Sequence, residues 1–250
     1  MMKTPIDFLP HAQCLVNKTI LVTGAGDGIG RVAAKTFAAY GATVILVGRT
    51  LQKLEMVYDE IEAAGYPEPA LYPIDFQIAN EQSFIDMCNA VHKTFDHLDG
   101  ILHNAADLGQ RTPIANYAPD VWMRLMQVNV NAPFLLTQAM MPLLEKAPNA
   151  AILFTGSSVG YRGRAYWGAY AASKAAAENL MQTLADELEE TTRIRVNSIN
   201  PGATRTKMRA SAYPAEDPSN LKTPTDLMKD YLFLMGDASI GITGQQFEAQ

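Results

Sequence analysis

The sequence is short of cysteine, histidine and charge, and each shortage narrows the classes of protein to consider. Its two cysteines, Cys14 and Cys88, share no CxxC spacing, so we interpret them as buried free thiols of a protein from a reducing compartment, the cytoplasm. The four histidines show no metal-ligand spacing, and we predict no catalytic metal. Charged residues make up 18% of the chain and leave a net charge of -6. This balance argues against a nucleic-acid partner, because a phosphate-binding face normally carries a basic excess.

Long apolar runs are also missing. No run approaches the length that crosses a bilayer, and the first 18 residues contain proline and aspartate before any apolar stretch. We therefore expect neither a membrane segment nor an export signal. What is present is a hydrophobic content of 48% over 250 residues, which is enough for one large domain with a well-filled core.

Short β-branched runs alternate with longer segments of helical periodicity. The strand-like runs cover residues 19–23, 43–47, 100–103, 151–154 and 195–199, with a weaker one at 71–74, and the clearest helical patterns cover 121–144 and 170–188. This alternation predicts a single-domain α/β fold, a Rossmann-like, doubly wound parallel sheet with helices on both faces. The long irregular segment 205–224 is predicted to be a substrate lid or a disordered stretch.

The first strand-like run leads directly into a glycine-rich segment, LVTGAGDGIG, at residues 21–30. A strand before it, a helix after it and a second strand on schedule are typical of a dinucleotide-binding turn. Gly24, Gly28 and Gly30 permit a tight turn and the close approach of a pyrophosphate, whose charge the N–H groups of the helix start would stabilise. We therefore predict a cofactor site here rather than a plain strand-to-helix connection.

The end of the second strand-like run indicates which dinucleotide binds. An acid at this point accepts hydrogen bonds from the adenosine ribose, whereas an arginine accommodates a 2′-phosphate. The segment VILVGRT, residues 44–50, carries Arg49 and no acid. Charge therefore favours NADP(H), with NAD(H) still open, and Asp27 in the glycine turn adds a negative charge that opposes phosphate binding.

Several motifs, in this order along nearly the whole chain, resemble the short-chain dehydrogenase/reductase family. TGAGDGIG is similar to its TGxxxGxG cofactor loop, HNAA at 103–106 to its NNAG motif, VNVNAPF at 128–134 to its asparagine segment, and NPGATRT at 200–206 to its PGxxxT segment. GSSVG at 156–160 and YAASK at 170–174 resemble the segments that carry its serine and its Tyr-x-x-x-Lys pair. Within the family, GRAYWGAYAASK and TRTKMRASAYPAEDP look closest to the YciK-like oxidoreductases. The resemblance implies an oxidoreductase that interconverts a carbonyl and an alcohol by hydride transfer.

The resemblance also implies a catalytic set of Asn129, Ser157, Tyr170 and Lys174. Tyr170 and Lys174 are four residues apart, so on a helix they share one face. A free tyrosine has a pKa of about 10, and a nearby ammonium together with the positive nicotinamide ring would stabilise the phenolate. We expect Tyr170 to act as acid and base, Lys174 to lower the pKa of Tyr170 and bind the ribose, and Asn129 to hold Lys174 or a water.

Two serines compete for the position beside the substrate oxygen. Ser157 lies thirteen residues before Tyr170, the family spacing, and we choose it over Ser158, which the motif letters alone would also allow. The remaining cofactor contacts implied by the resemblance are Asp27, Ile29, Asp75, Asn104, Ala105, Pro201, Gly202, Thr204 and Thr206.

The substrate and partners follow from the segments around this set. We expect residues 160–167 and 205–224 to wall an apolar pocket, with Tyr161, Tyr166, Trp167 and Met208 as surface and Arg162, Arg164 and Arg209 nearby for an anionic group. The apolar excess on helices 121–144 and 171–188 predicts a homodimer or homotetramer. The alternative function is a catalytically idle dinucleotide-binding sensor or scaffold, since a fold does not fix an activity. The complete Ser, Tyr, Lys and Asn set favours the enzyme.

Overall fold

The computed structural model describes all residues 1–250, and it contains a seven-stranded parallel sheet. The strands are β1 (Thr19–Thr23), β2 (Thr43–Gly48), β3 (Ala70–Pro73), β4 (Gly100–His103), β5 (Ala151–Thr155), β6 (Arg195–Asn200) and β7 (Gln246–Glu248). Their order across the sheet is β3-β2-β1-β4-β5-β6-β7. The order reverses between β1 and β4, and ligands of open α/β sheets bind at such a switch point, outside the carboxyl ends of the strands. The predicted fold class is confirmed.

Nine α-helices accompany the sheet. They are α1 (Gly28–Ala39), α2 (Leu51–Ala63), α3 (Glu81–Thr94), α4 (Pro119–Met126), α5 (Ala132–Leu144), α6 (Ser158–Tyr161), α7 (Gly168–Glu189), α8 (Lys207–Ala212) and α9 (Met228–Met235). None of them is both long and apolar enough to cross a membrane.

Two large apolar clusters form the core, one on each face of the sheet. One cluster packs α1, α2 and α9 against the sheet through residues such as Phe37, Leu54 and Tyr231. The other packs α3, α5 and α7 against the opposite face through residues such as Phe84, Leu136 and Met181. Both faces of each central strand are therefore buried. Strands β1, β2, β4 and β5 accordingly have apolar centres, whereas β6 also buries polar side chains.

The structure differs from the sequence-based predictions in three local features. The predicted helix 121–144 is interrupted by a π-helical turn, Gln127–Asn131, between α4 and α5. The segment 205–224 is not irregular throughout, since it contains α8. Cys14 and Cys88 are free thiols but half-buried, not buried.

Strand β7 is absent from the sequence-based prediction. It has only three residues, Gln246, Phe247 and Glu248, and its middle residue alone is buried. Its extended form depends on parallel pairing with β6, where Ser198, Ile199 and Asn200 are the partners. Pairing of this kind leaves no local periodicity for a pattern to detect.

Candidate active site

A cleft of about 680 Å³ opens at the carboxyl ends of the strands and contains most of the predicted site residues. Its volume lies in the range of small-molecule and cofactor sites. The predicted residues that line it are Gly24, Asp27, Gly28, Ile29, Arg49, Asp75, Asn104, Ala105, Ser157, Tyr170, Lys174, Pro201, Gly202, Thr204 and Thr206. Two predicted residues, Gly30 and Asn129, do not line it.

The glycine-rich turn between β1 and α1 has the geometry of a phosphate cradle. Gly24 and Gly28 have φ values of +68° and +53°, a region that side chains disfavour. A Cβ atom on Gly24 would also lie 3.1 Å from the Cα atom of Ala105. The turn thus exposes backbone N–H groups at the start of a 12-residue helix, where an anion is stabilised.

Gly30 has a packing role in this turn. A Cβ atom there would overlap the Gly24 carbonyl oxygen and the Asn104 side-chain amide. Gly30 therefore lets α1 approach the strand ends closely, and it does so from beneath the cleft rather than from its wall.

Asp27 is the centre of a small charge cluster at the rim. Its carboxylate accepts a hydrogen bond from the Gly28 N–H at 2.8 Å and so caps α1, and it pairs with Lys53 at 2.8 Å and Lys207 at 3.2 Å. The hydrogen bond from Lys53 does most to lower the pKa of Asp27, which falls to about 2. Arg49 lies at the same end of the cleft, exposed and without a salt-bridge partner.

The strand ends beneath the cleft are tied together by Thr23, which the sequence reasoning missed. Its hydroxyl accepts hydrogen bonds from the N–H groups of Asn104 and Ala105 at 2.9 and 3.0 Å. The side-chain amide of Asn104 donates to the Thr23 carbonyl oxygen at 3.3 Å. Asn104 thus joins β1 to β4, so that it stabilises the sheet as well as lining the cleft.

Tyr170 and Lys174 lie on α7 and face the cleft together, with the lysine Nζ atom 5.7 Å from the centre of the tyrosine ring. The lysine is 6% exposed, and its ammonium donates to the Thr155 carbonyl oxygen at 2.8 Å. Burial lowers the pKa of Lys174 to about 8, against the opposing effect of the Glu178 carboxylate.

The packing of the protein by itself moves the pKa of Tyr170 upward, opposite to the lowering expected from Lys174 and the oxidised nicotinamide ring together. Burial raises the pKa of Tyr170 to about 12, and the neighbouring Ser157 hydroxyl acts in the opposite direction. The physical reason is that the site removes the phenol from water, and a phenolate loses more solvation than a phenol does. Tyr170 therefore holds its proton at neutral pH.

The structure distinguishes the two candidate serines. Ser157 precedes α6 and lines the cleft beside Tyr170, whereas Ser158 begins α6, is exposed and does not line the cleft. Only Ser157 is in position to donate to a group bound near the Tyr170 hydroxyl.

The side chain of Asn129 contacts neither Lys174 nor the cleft, and its role in holding a water stays a prediction. It lies in the π-helical turn, 3% exposed, and its side-chain amide donates to the Asp107 carbonyl oxygen at 2.9 Å and to the Ser173 hydroxyl at 3.0 Å. Its side-chain oxygen accepts from the Asp107 N–H at 2.7 Å. Both amide protons are thus committed away from Lys174, and the Ser173 hydroxyl in turn donates to the Tyr170 carbonyl oxygen. Asn129 connects the loop after β4 to the turn of α7 that carries Tyr170.

Comparison with known proteins agrees with this geometry. The family model of the short chain dehydrogenases matches residues 18–217. The chain belongs to the short-chain dehydrogenase family.

Close relatives of this family member include the uncharacterized oxidoreductase YciK of Escherichia coli K12. It is 51% identical over 243 residues, which cover 97% of this chain and 96% of the relative. A short chain dehydrogenase from Shigella flexneri 2a, solved in complex with NADP, has a TM-score of 0.94 at 51% identity over 96% of this chain and 100% of that one. A short chain dehydrogenase from Escherichia coli CFT073, solved with NADPH, has the same identity, coverage and TM-score. The protein is therefore an oxidoreductase of the short-chain dehydrogenase family, close to YciK.

The other end of the cleft differs from expectation. Of the segment 160–167 only Trp167 lines it, and of the residues expected from the segment 205–224, Met208 and Arg209 do. Tyr166, Arg162 and Arg164 are exposed and lie away from it. The wall is completed by residues that had no assigned role, Asp107, Leu108, Arg124, Val128 and Ala212.

Both arginines at this end already have carboxylate partners. Arg209 donates to Glu216 through two hydrogen bonds of 2.6 Å, and Arg124 donates to Asp107 at 3.0 Å. Beside them an apolar cluster, which includes Trp167 and Ala212, packs against the Tyr170 ring. This end of the cleft therefore has an apolar surface beside two arginines whose charges are compensated, while the Arg111 guanidinium stacks on Trp167 at 4.8 Å.

The segment that follows β6 lines one side of the cleft. Gly202 has a φ of +68°, and the Thr206 hydroxyl caps α8 by accepting from the Arg209 N–H at 3.1 Å. Arg205 donates to the carbonyl oxygens of Pro218, Ser219 and Leu221. These contacts join Arg205 to the turn at residues 218–221 and hold the two ends of the segment together.

Proposed function

We propose that the protein is an NADP(H)-dependent reductase of an apolar carbonyl compound, with Tyr170 as general acid and base. The observation that carries the proposal is the convergence of Ser157, Tyr170 and Lys174 on one wall of a cleft whose other end is the glycine-rich turn. The residues fit a dinucleotide, because the turn offers a phosphate cradle and the cleft has the size that such a ligand needs.

The chemistry divides between cofactor and protein. The nicotinamide, when bound, supplies the hydride. Ser157 and Tyr170 donate hydrogen bonds to the substrate oxygen, which gains negative charge during reduction. Because its pKa is about 12, Tyr170 arrives protonated and transfers the proton from its hydroxyl to that oxygen, leaving an alcohol and a phenolate. The Lys174 ammonium stabilises the phenolate until solvent returns the proton.

The preference for NADP(H) over NAD(H) rests on charge at the cofactor end. Arg49 is unpaired there, and Lys53 and Lys207 stand nearby. A 2′-phosphate would give Arg49 an anionic partner, whereas a ribose hydroxyl would not. The NADP and NADPH complexes of the Shigella and Escherichia relatives support this choice.

The substrate is proposed to be uncharged near its carbonyl group. The apolar cluster beside Tyr170 favours an aliphatic or aromatic body, and the compensated Arg124 and Arg209 offer no free cation to a carboxylate. This revises the expectation of an anionic group. We also propose that the segment 205–224 acts as the lid of this end.

A homo-oligomer in the cytoplasm completes the proposal. Met123 on α4 and Phe134 on α5 are 67% and 46% exposed, and apolar side chains on helices that already serve the core favour a subunit contact. The two free thiols favour a reducing compartment. Sedimentation velocity at micromolar concentration is expected to give a dimer or tetramer, and a monomer alone would overturn this part.

The central experiment measures oxidation of NADPH and NADH with ketones, quinones and 3-oxoacyl thioesters. Tyr170→Phe is expected to reduce turnover by about 10²- to 10⁴-fold and to leave NADPH affinity close to that of the wild type. Equal turnover by the two proteins would refute the role of Tyr170. Tight NADPH binding by a wild type that reduces nothing would favour the sensor or scaffold function instead.

The cofactor preference has its own test. Arg49→Ala is expected to weaken NADPH binding by roughly 10- to 100-fold, the loss of a charge-assisted hydrogen bond, and to leave NADH binding unchanged. An unaltered NADPH/NADH ratio would remove the basis of the assignment.

A further inference from the structure

Glu178 is a buried carboxylate that the mechanism above does not use. It is 6% exposed and lies on α7, four residues after Lys174. Side chains at this spacing lie on the same face, with Cβ atoms about 5–6 Å apart. Burial of an ionisable carboxyl group is costly unless other groups compensate its charge.

Polar groups around Glu178 offset part of this cost. The Ser198 hydroxyl of β6 donates to one carboxylate oxygen at 2.7 Å, and the Tyr161 hydroxyl of α6 donates to the other at 3.4 Å. Burial raises the pKa of Glu178 above its ordinary value, and the two hydroxyl donors, Gln246 and the charge of Lys174 act in the opposite direction and favour the ionised form. The second oxygen also lies 3.4 Å from the place where a Cβ atom of Gly156 would stand. The carboxylate is therefore directly behind the loop that carries Ser157.

Lys174 has no other compensating anion. It makes no salt bridge, and its one hydrogen bond goes to a carbonyl oxygen. The elements around α7 and the Glu178 carboxylate carry few other titratable or charged side chains. These are Tyr161 on α6, Asp120 and Arg124 on α4, Arg195 on β6 and Glu248 on β7. Of the carboxylates in the neighbourhood, Glu178 is the one whose charge opposes the effect of burial on Lys174.

We propose that Glu178 is a positioning residue for the reaction, whose buried carboxylate keeps Lys174 in the ammonium form from one helical turn behind it. The consequence is specific to charge. A neutral lysine would not stabilise the Tyr170 phenolate. Without the carboxylate, Lys174 would lose its proton at a lower pH, and the rate of reduction would therefore begin to fall at a lower pH. The proposal rests on the proposed role of Lys174.

Two neutral replacements and one charged replacement test this. Glu178→Gln retains hydrogen-bonding groups, and Glu178→Met fills a similar volume without them, while Glu178→Asp keeps the charge. The alkaline limb of the reduction profile is expected to move down by about one pH unit in both neutral variants, the size of a modest interaction between charges one helical turn apart. Glu178→Asp is expected to stay close to the wild type. Because the two neutral variants differ in hydrogen bonding and packing, a common shift identifies charge, and either one suffices if the other does not fold.

A second measurement reads Lys174 without cofactor or turnover. NMR titration of the protein with ¹³C at lysine Cε, with Lys174 assigned by its disappearance in Lys174→Met, is expected to show the same downward shift in the neutral variants. An unchanged Lys174 titration in both would overturn the inference and leave Glu178 with a structural role toward Ser198 and Tyr161. A shift by NMR without a change in the rate profile would support the link between the two residues and count against the proposed role of Lys174.

Discussion

Replacing Asp27 by asparagine is expected to weaken the fold slightly and to strengthen cofactor binding. Asparagine is as good a helix N-cap as aspartate, so the substitution keeps the cap of α1 and removes only the charge. The same change releases Lys53 and Lys207 from their carboxylate partner. Stability is therefore expected to fall while cofactor affinity rises, and each is measured by its own assay.

The loss of stability follows from the pKa of Asp27, which falls from 3.8 to about 2 on folding. A shift of nearly two pH units has a ceiling of roughly 2.5 kcal/mol. The Asp27 side chain is 43% exposed and Lys207 is 83% exposed, and exposed pairs contribute only about 0.2–1 kcal/mol because water screens them. We expect a loss of about 1 kcal/mol, or about 2–4 °C in Tm for a domain of this size.

The pH dependence has a definite sign. Since the folded-state pKa is depressed, the contribution is present above the unfolded value of 3.8 and is lost as the pH falls toward 2. The stability difference between wild type and Asp27→Asn, measured by urea unfolding, should be constant from pH 8 down to about pH 5 and should shrink below about pH 4. A difference that grows on acidification would refute the assignment.

The gain in affinity comes from the phosphates of the cofactor. Removing one negative charge near them is expected to tighten NADPH binding about two- to fivefold at low ionic strength, and the gain should decline with salt. Fluorescence titration with NADPH measures it. Weaker or equal binding by Asp27→Asn at low salt would contradict the reasoning. Asp27→Ala is the matched control, because it also removes the cap and should cost about 0.5–2 kcal/mol more.

Three further predictions concern single positions. Ser157→Ala is expected to lower kcat of reduction by about 10²- to 10³-fold. Ser158 is exposed, and Ser158→Ala should change kcat less than about twofold. Equal losses in the two variants would contradict the choice of Ser157. The rate of reduction is expected to fall above about pH 8, because the pKa of Lys174 is about 8 and a neutral amine cannot stabilise phenolate; a flat profile to pH 10 would exclude Lys174 as the group. Gly30→Ala is expected to destabilise the protein by about 1–3 kcal/mol through overpacking, and Gly163→Ala, where a Cβ atom would meet nothing within 4 Å, should be neutral in the same urea titration.

Much of the fold could be predicted, and the reason is local. Strands β1, β2, β4 and β5 have short apolar runs at their centres, and β6 carries Val196 and Ile199. Such buried runs leave a pattern that a short window detects. The π-helical turn at 127–131 leaves no such pattern, because it differs from its flanking helices in hydrogen bonding and not in residue type.

The glycine turn and the spacing of Tyr170 and Lys174 were determined by the sequence itself, since each depends on neighbours within one turn or one helix. The tertiary structure alone decided the rest of the site. It brought Ser157 rather than Ser158 to the cleft, turned Asn129 toward Asp107 and Ser173, and set Glu178 behind Lys174. It also decided the pKa of Tyr170, because burial is a property of the whole packed domain. The cost of burying a phenolate outweighs the effect of the Ser157 hydroxyl, and the pKa of Tyr170 is therefore raised.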